Sequence, residues 1–393
     1  MSKVLAKRRT VDAILGIALL ISMAALIIYP AEASAAAKEG LVLCYNVIIP
    51  SLFPFFVLSS LVVEFGLARY IGRALEKIMR PLFNVGGACS VAFSLGLIGG
   101  YPVGARTAIN LYEKGICTKT ETERLLSFCN NSGPAFILGV VGAGIFSSSK
   151  IGLLLYLVHI AASVCVGFIF RFYKSGEKAS TGKLQYSEIE SVRLSAAFSE
   201  TVKSSFMSII SICAFVVFFT VFIRLLIISG IMAGAAGVLA SLLKPFGMTS
   251  QWASRLITGL IEISSGVNTL GGISDALSAR MGMAAFMLGW AGFSVHCQVM
   301  SFIGRSGLSV KTYLAGKALH GVISALLALA VCRVFLGDVS VASFLAEQIV
   351  SIGSVDFSTA LRVSAAVSWA VWVAAVLLAT RIYEKNCDRK KRR

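Results

Sequence analysis

Apolar runs of about 20 residues recur along this chain, among them 13–30, 205–229, 313–335 and 357–381. About 20 residues is the length an α-helix needs to cross a hydrocarbon core of about 30 Å. Lipid offers no water to backbone N–H and C=O groups, so such runs fold as helices that satisfy their own hydrogen bonds. With 57% apolar and 14% charged residues and a mean hydropathy of +0.83, the chain lies outside the range of a soluble domain. The sequence therefore predicts an all-α polytopic membrane protein.

A net charge of +17 would suit a nucleic-acid partner. Its placement argues otherwise, because most Lys and Arg residues flank apolar runs, where they set orientation and meet anionic lipid. The expected partners are the bilayer and a small-molecule solute, with no nucleic acid. The nine cysteines show no CxxC pair and no disulfide spacing, and most lie in apolar runs. No metal or other cofactor is expected, beyond coupling to Na⁺ or H⁺.

The positive-inside rule orders the chain. Lys3, Lys7, Arg8 and Arg9 precede the first apolar run, which reads as a retained signal anchor; Ala33-Ser34-Ala35 also resembles a signal-peptidase site. Residues 1–40 form this anchor and an outer loop, and 41–170 a first repeat opened by a span at 41–64 carrying Pro50 and Pro54. A basic amphipathic stretch with Arg69, Arg73, Lys77 and Arg80 follows on the inner interface. Residues 171–203 are a polar, Gly-containing cytoplasmic linker, 204–335 the second repeat, and 336–393 an outer loop, last span and basic tail. Arg224, Lys244, Arg255, Arg280, Arg333 and Arg362 run against the charge bias. The expected count is about eight full spans with both termini in the cytoplasm.

Two pairs of breaks interrupt the apolar pattern at corresponding places. Arg80-Pro81 leads to Gly99-Gly100-Tyr101-Pro102 and then to Asn130-Asn131-Ser132-Gly133-Pro134. Lys244-Pro245 leads to Glu262-Ile263-Ser264-Ser265 and then to Trp290-Ala291-Gly292-Phe293-Ser294. Pro81 to Gly96 is 96 − 81 = 15 residues, and Pro245 to Gly259 is 259 − 245 = 14. Segments of about 86–116 and 250–280 read as re-entrant hairpins entering from opposite faces, an inverted repeat. Paired interruptions of this kind point to a transporter's substrate site.

The runs Gly99–Ala105 and Asn130–Phe136, with the hairpin pattern around them, resemble the nucleoside recognition (Gate) domain family, and within it a branch of sporulation integral membrane proteins. The resemblance covers about residues 40–335. It implies a cytoplasmic-membrane protein required for spore development, with a fold distantly related to concentrative nucleoside transporters. It also leaves room for a homo-oligomer or a sporulation membrane complex.

Unwound backbone at both hairpin tips exposes polar groups that a solute or ion can use. Gly100, Tyr101 and Pro102 form the first tip, and Arg106 follows it, either meeting an anionic solute or snorkelling. Asn130, Asn131 and Ser132 either cap a helix or hold a ligand. Glu262 is an ionisable residue inside an apolar segment, a functional position by default, with Ser264, Ser265 and Asn268 beside it. Ser294, His296 and Gln298 complete the set, whereas His159 and His320 read as structural residues without polar neighbours. HExxH and GxSxG motifs are absent, so an enzyme is not expected. The alternative to transport is a scaffold for cortex or coat assembly.

Overall fold

Glycine, proline and amide residues set the helix lengths by interrupting the apolar sequence. The computed structural model describes residues 13, 16, 17, 19–64, 77–177 and 194–335, and regular structure among them is helical throughout. The basic stretch 65–76, most of the linker and everything from 336 onward, including the expected last span, lie outside the described residues.

Helix α1 (Leu19–Ile28) turns by 99° at Tyr29 into the next helix. That helix, α2 (Pro30–Leu43), runs through a π-helical turn at Cys44–Ile48 into α3 (Ile49–Glu64). The outer loop expected before residue 41 is thus helical, because Ala-rich sequence is a strong helix former even where it is polar. Residues 77–83 are helical and lead to a hairpin of α4 (Cys89–Gly99) and α5 (Val103–Glu113). Then follow α6 (Lys119–Leu126), the π-helical α7 (Ala135–Ile145) and α8 (Ser149–Phe170). Thr118 and Glu121 close a capping box on α6.

The second half begins with the long α9 (Leu194–Ile228) and α10 (Ile231–Leu242). A hairpin of α11 (Ser250–Ile261) and α12 (Ile263–Asn268) follows. The chain continues through α13 (Leu277–Trp290), α14 (Gly292–Ser306) and α15 (Val310–Phe335). The element order repeats: a hairpin, a helix, a break, a helix, and a long closing helix. α8 and α15 pack together, and His159 and His320 stack where they cross, with ring centroids 4.4 Å apart. Both histidines occupy the same register, since 159 − 149 = 10 and 320 − 310 = 10 from the first residue of each helix.

Among the described residues, four helical stretches are long and apolar enough to cross a membrane: Ser149–Phe170, Phe198–Ile228, Leu277–Gly304 and Val310–Phe335; the bent pair at Tyr29 would make five. The span expected at about 130–147 is shorter, because Asn130 to Gly133 are not helical and only Ala135–Ile145 wind. The span expected at about 282–303 is broken at Ala291, whose φ is +82°.

Three of the basic residues that run against the charge bias find partners. Arg224 pairs with Glu39 at 2.6 Å and Arg255 with Asp275 at 2.9 Å. Arg280 donates from Nε to the Leu270 carbonyl and lies 5.0 Å from the Phe146 ring centre. Arg124, which follows Lys114 and Lys119 in sequence, is buried, and its guanidinium donates to the carbonyls of Asn84, Tyr173, Lys174 and Glu177. Those bonds tie the end of α8 to the foot of the first hairpin.

Opposite entry of the two hairpins predicts a labelling pattern. A cysteine replacing exposed Lys114, at the foot of α5, should react with a membrane-impermeant maleimide only from the cytoplasmic side. One replacing exposed Gln251, at the foot of α11, should react only from outside. Reaction of both from one side would rule out the inverted arrangement.

Candidate functional site

Each hairpin tip is held against the second break of its own half by backbone contact. At the first tip Gly100 has φ +74°, and a Cβ there would stand 2.9 Å from the Gly133 nitrogen. In the second half Gly292 has φ +79°, and a Cβ would lie 3.0 Å from the Ile263 nitrogen. Only glycine combines this backbone with so close an approach. The two halves therefore build the same joint from different sequences.

The joints meet around one cavity of about 650 Å³, counting the space at its mouth. Gly99, Gly100 and Tyr101 reach it from the first tip, and Ser132 and Gly133 from the second break. Glu262, Ile263 and Ser264 come from the second tip, and Ser294, Val295 and Gln298 from the start of α14. Phe56, Phe136 and Phe215 are prominent in its apolar wall.

Glu262 is 1% exposed and caps α12, accepting from the backbone N–H of Ser264 at 2.9 Å and of Ser265 at 2.6 Å. A carboxylate has about four lone-pair positions, so each oxygen keeps capacity for a further donor. Ser265 is half-buried beside the cavity wall, its hydroxyl 3.4 Å from that of Thr220.

Behind the first two breaks lies a buried polar layer. Asn131 donates to the Phe128 carbonyl and to Ser163, and Ser132 donates from its backbone N–H to His159 Nε2 at 3.0 Å. Asn130 donates to the Tyr313 hydroxyl, which lies 2.9 Å from His296 Nδ1. His159 and His320 are thus well supplied with polar neighbours, contrary to the sequence expectation, because α8 and α15 bring distant polar groups onto them. Tyr101 lines the cavity and also donates from its hydroxyl to the Leu288 carbonyl, linking the halves.

The remaining candidates stand elsewhere. Pro102, in a cis peptide with Tyr101, is half-buried outside the cavity lining. Arg106 is exposed on α5 and makes no ion pair among the described residues. Asn268 is exposed at the end of α12. Asn130, Asn131 and His296 lie in the polar layer rather than on the cavity lining.

Sequence reasoning missed Lys317 and Tyr313. Lys317 is 1% exposed, and its Nζ donates to the Asn130 carbonyl at 2.9 Å. The signal was present, since Tyr313, Lys317 and His320 fall on one helical face of an otherwise apolar run.

This arrangement of broken helices around a cavity has counterparts among known proteins. The chain matches a solved structure of CNTnw in an inward-facing substrate-bound state with a TM-score of 0.52 at 14% identity, over 81% of this chain and 84% of that one. An intermediate state of a CNTnw variant matches with a TM-score of 0.53 at 14% identity, over 82% and 85%. The family model described as nucleoside recognition (Gate) matches residues 46–175. The sporulation integral membrane protein YlbJ of Bacillus subtilis is 30% identical over 318 residues, 77% of this chain and 78% of that protein. The chain belongs to the YlbJ family of sporulation integral membrane proteins.

Proposed function

We propose that this protein moves a small polar solute across the cytoplasmic membrane during sporulation, by alternating access around the cavity between the two joints. The observation that carries this reading is that all four breaks, two from each half, line one cavity. Its aromatic wall suits a flat apolar face, and Ser132, Glu262 and Gln298 suit a polar edge, so a nucleoside-like solute is the first candidate. The Gate description and the CNTnw-like fold support the same class. Glu262, with backbone freed at the breaks, provides groups that Na⁺ or H⁺ coupling would use.

Purified protein in proteoliposomes should accumulate tritiated uridine at least about fivefold over empty vesicles. If uridine fails, metabolite profiling of vesicles loaded with an extract of sporulating cells should name another small polar solute. Absence of uptake for every solute in the extract would leave the scaffold reading in its place.

A further inference from the structure

Lys317 sits in the polar layer behind the cavity, where α15 faces α8 and the first two breaks. Its amino group meets three acceptors: the Asn130 carbonyl at 2.9 Å, His320 Nδ1 at 3.4 Å and the Tyr101 ring face, 5.2 Å from Nζ to the centroid. An ammonium has three N–H donors, so the site matches its full donor set.

Neighbouring bonds assign the imidazole tautomers. His320 Nε2 faces the His159 carbonyl at 3.0 Å and must carry the hydrogen, which leaves Nδ1 as a lone pair aimed at Lys317. His159 Nε2 accepts from the Ser132 N–H, so its hydrogen is on Nδ1. The Tyr313 hydroxyl accepts from Asn130 and lies 2.9 Å from His296 Nδ1, to which its own hydrogen can be donated. His159 Nδ1, His296 Nε2, Asn130 Oδ1 and Ser132 Oγ are buried with no partner among the described residues. The layer therefore combines a receptacle for an ammonium with spare donors and acceptors close to the cavity wall.

No carboxylate pairs with Lys317 among the described residues. On the elements packed against α15, Glu121, Glu123 and Arg124 of α6 are bonded at their own end: to the Gly86 N–H, to Lys174 and Tyr173, and to backbone carbonyls. Arg280, the charged residue of α13, is turned to the Leu270 carbonyl. The remaining titratable neighbours are Tyr101, Cys129, His159, His296, Tyr313 and His320. An ammonium enclosed without a counter-charge carries a desolvation penalty of several kcal/mol. A single proton thus decides whether the layer holds a charge.

We propose that Lys317 is the proton-binding group of the transport cycle: a proton taken up at Nζ tightens its bond to the Asn130 carbonyl and so sets the break that lines the cavity. The inference rests on the transport reading and names its coupling ion as H⁺. The balance is simple protonation, with R–NH₂ and H⁺ giving R–NH₃⁺ and the reverse step releasing the proton on the other side.

The test has a solute-independent arm and a transport arm. In detergent, the thermal midpoint of the wild type should vary between about pH 5.5 and pH 9.5 with a component absent from Lys317→Gln. A Lys317→Gln profile parallel to that of the wild type would overturn the proposal. In proteoliposomes, an inwardly directed proton gradient should raise wild-type uridine uptake at least about fivefold. Lys317→Arg, permanently charged, should lose that stimulation while retaining uridine exchange at zero gradient. Retention of gradient-driven uptake by Lys317→Arg would also overturn it, and loss of exchange together with drive would make Lys317 a structural residue. If wild-type vesicles take up no uridine, the transport reading fails for that solute, and the pH profile alone still decides whether Lys317 binds the proton.

Discussion

Gly104→Ala is expected to prevent accumulation of folded protein, whereas Gly259→Ala should be tolerated. In the first hairpin, Gly96 of α4 and Gly104 of α5 face each other, and a Cβ at either would strike the carbonyl oxygen of Cys129. That carbonyl belongs to the chain just before the Asn130–Asn131–Ser132 break, so it is wedged into the notch between the hairpin arms. A Cβ at Gly104 would also stand 2.8 Å from the Gly96 Cα, and backbone has nowhere to retreat. Overpacking of this kind costs about 3 kcal/mol or more. In the second hairpin the atoms met by a Cβ at Gly259 are Cγ, Sδ and Cε of Met287, at 2.6 to 2.7 Å. An unbranched thioether can swing aside, so the cost should stay near about 1 kcal/mol. Membrane abundance by immunoblot and thermal midpoint in detergent measure both variants. Equal behaviour of the two would show that the notch is not what holds the first joint.

Removal of the Glu262 carboxylate should have the second large effect, on uptake more than on folding. Alanine leaves the N–H groups of buried Ser264 and half-buried Ser265 without their acceptor, at about 1–3 kcal/mol for a buried group left unsatisfied. It also removes the carboxylate from the cavity wall. Glu262→Gln separates these effects, because its amide oxygen can still accept from one N–H while the charge is gone. We expect Glu262→Gln to reach the membrane within about twofold of wild-type levels and to lose at least about tenfold in solute uptake and in spore yield. Glu262→Ala should lose both, with reduced abundance as well. Normal spore yield in Glu262→Gln at normal abundance would remove the charge from the mechanism.

The helical membrane class and the positions of the breaks were legible in the sequence for a physical reason. Apolar length dictates spanning helices, and Gly-Gly-Tyr-Pro, Asn-Asn-Ser-Gly-Pro and the polar run at Glu262 cannot continue an apolar helix without consequence. The contacts between breaks were not legible. That Gly100 meets Gly133, and Gly292 meets Ile263, depends on how helices pack, which spacing does not encode. The fourth break was visible only as Trp290-Ala291-Gly292, and the left-handed turn at Ala291 that splits the expected span has no Pro to announce it. Lys317 went unread because it lies in a run apolar enough to pass as an ordinary span, and two of its partners, Asn130 and Tyr101, are more than a hundred positions away. Arg124 shows the same limit from the other side: its neighbours in sequence suggest a wet basic surface, and its carbonyl partners come from two other segments.

The stacked pair of His159 and His320 has a consequence for how the two halves can change over evolutionary time. Each ring occupies the same register in its own half, and each is the other's packing partner at 4.4 Å. Enlarging one ring with the other unchanged crowds the seam, and shrinking one opens a void beside a buried polar layer. A substitution at 159 is therefore expected to need a size-compensating one at 320, a coupling that a double-mutant cycle of thermal midpoints measures. A single contact of this kind obliges the two halves, free to diverge elsewhere, to keep a shared record of each other.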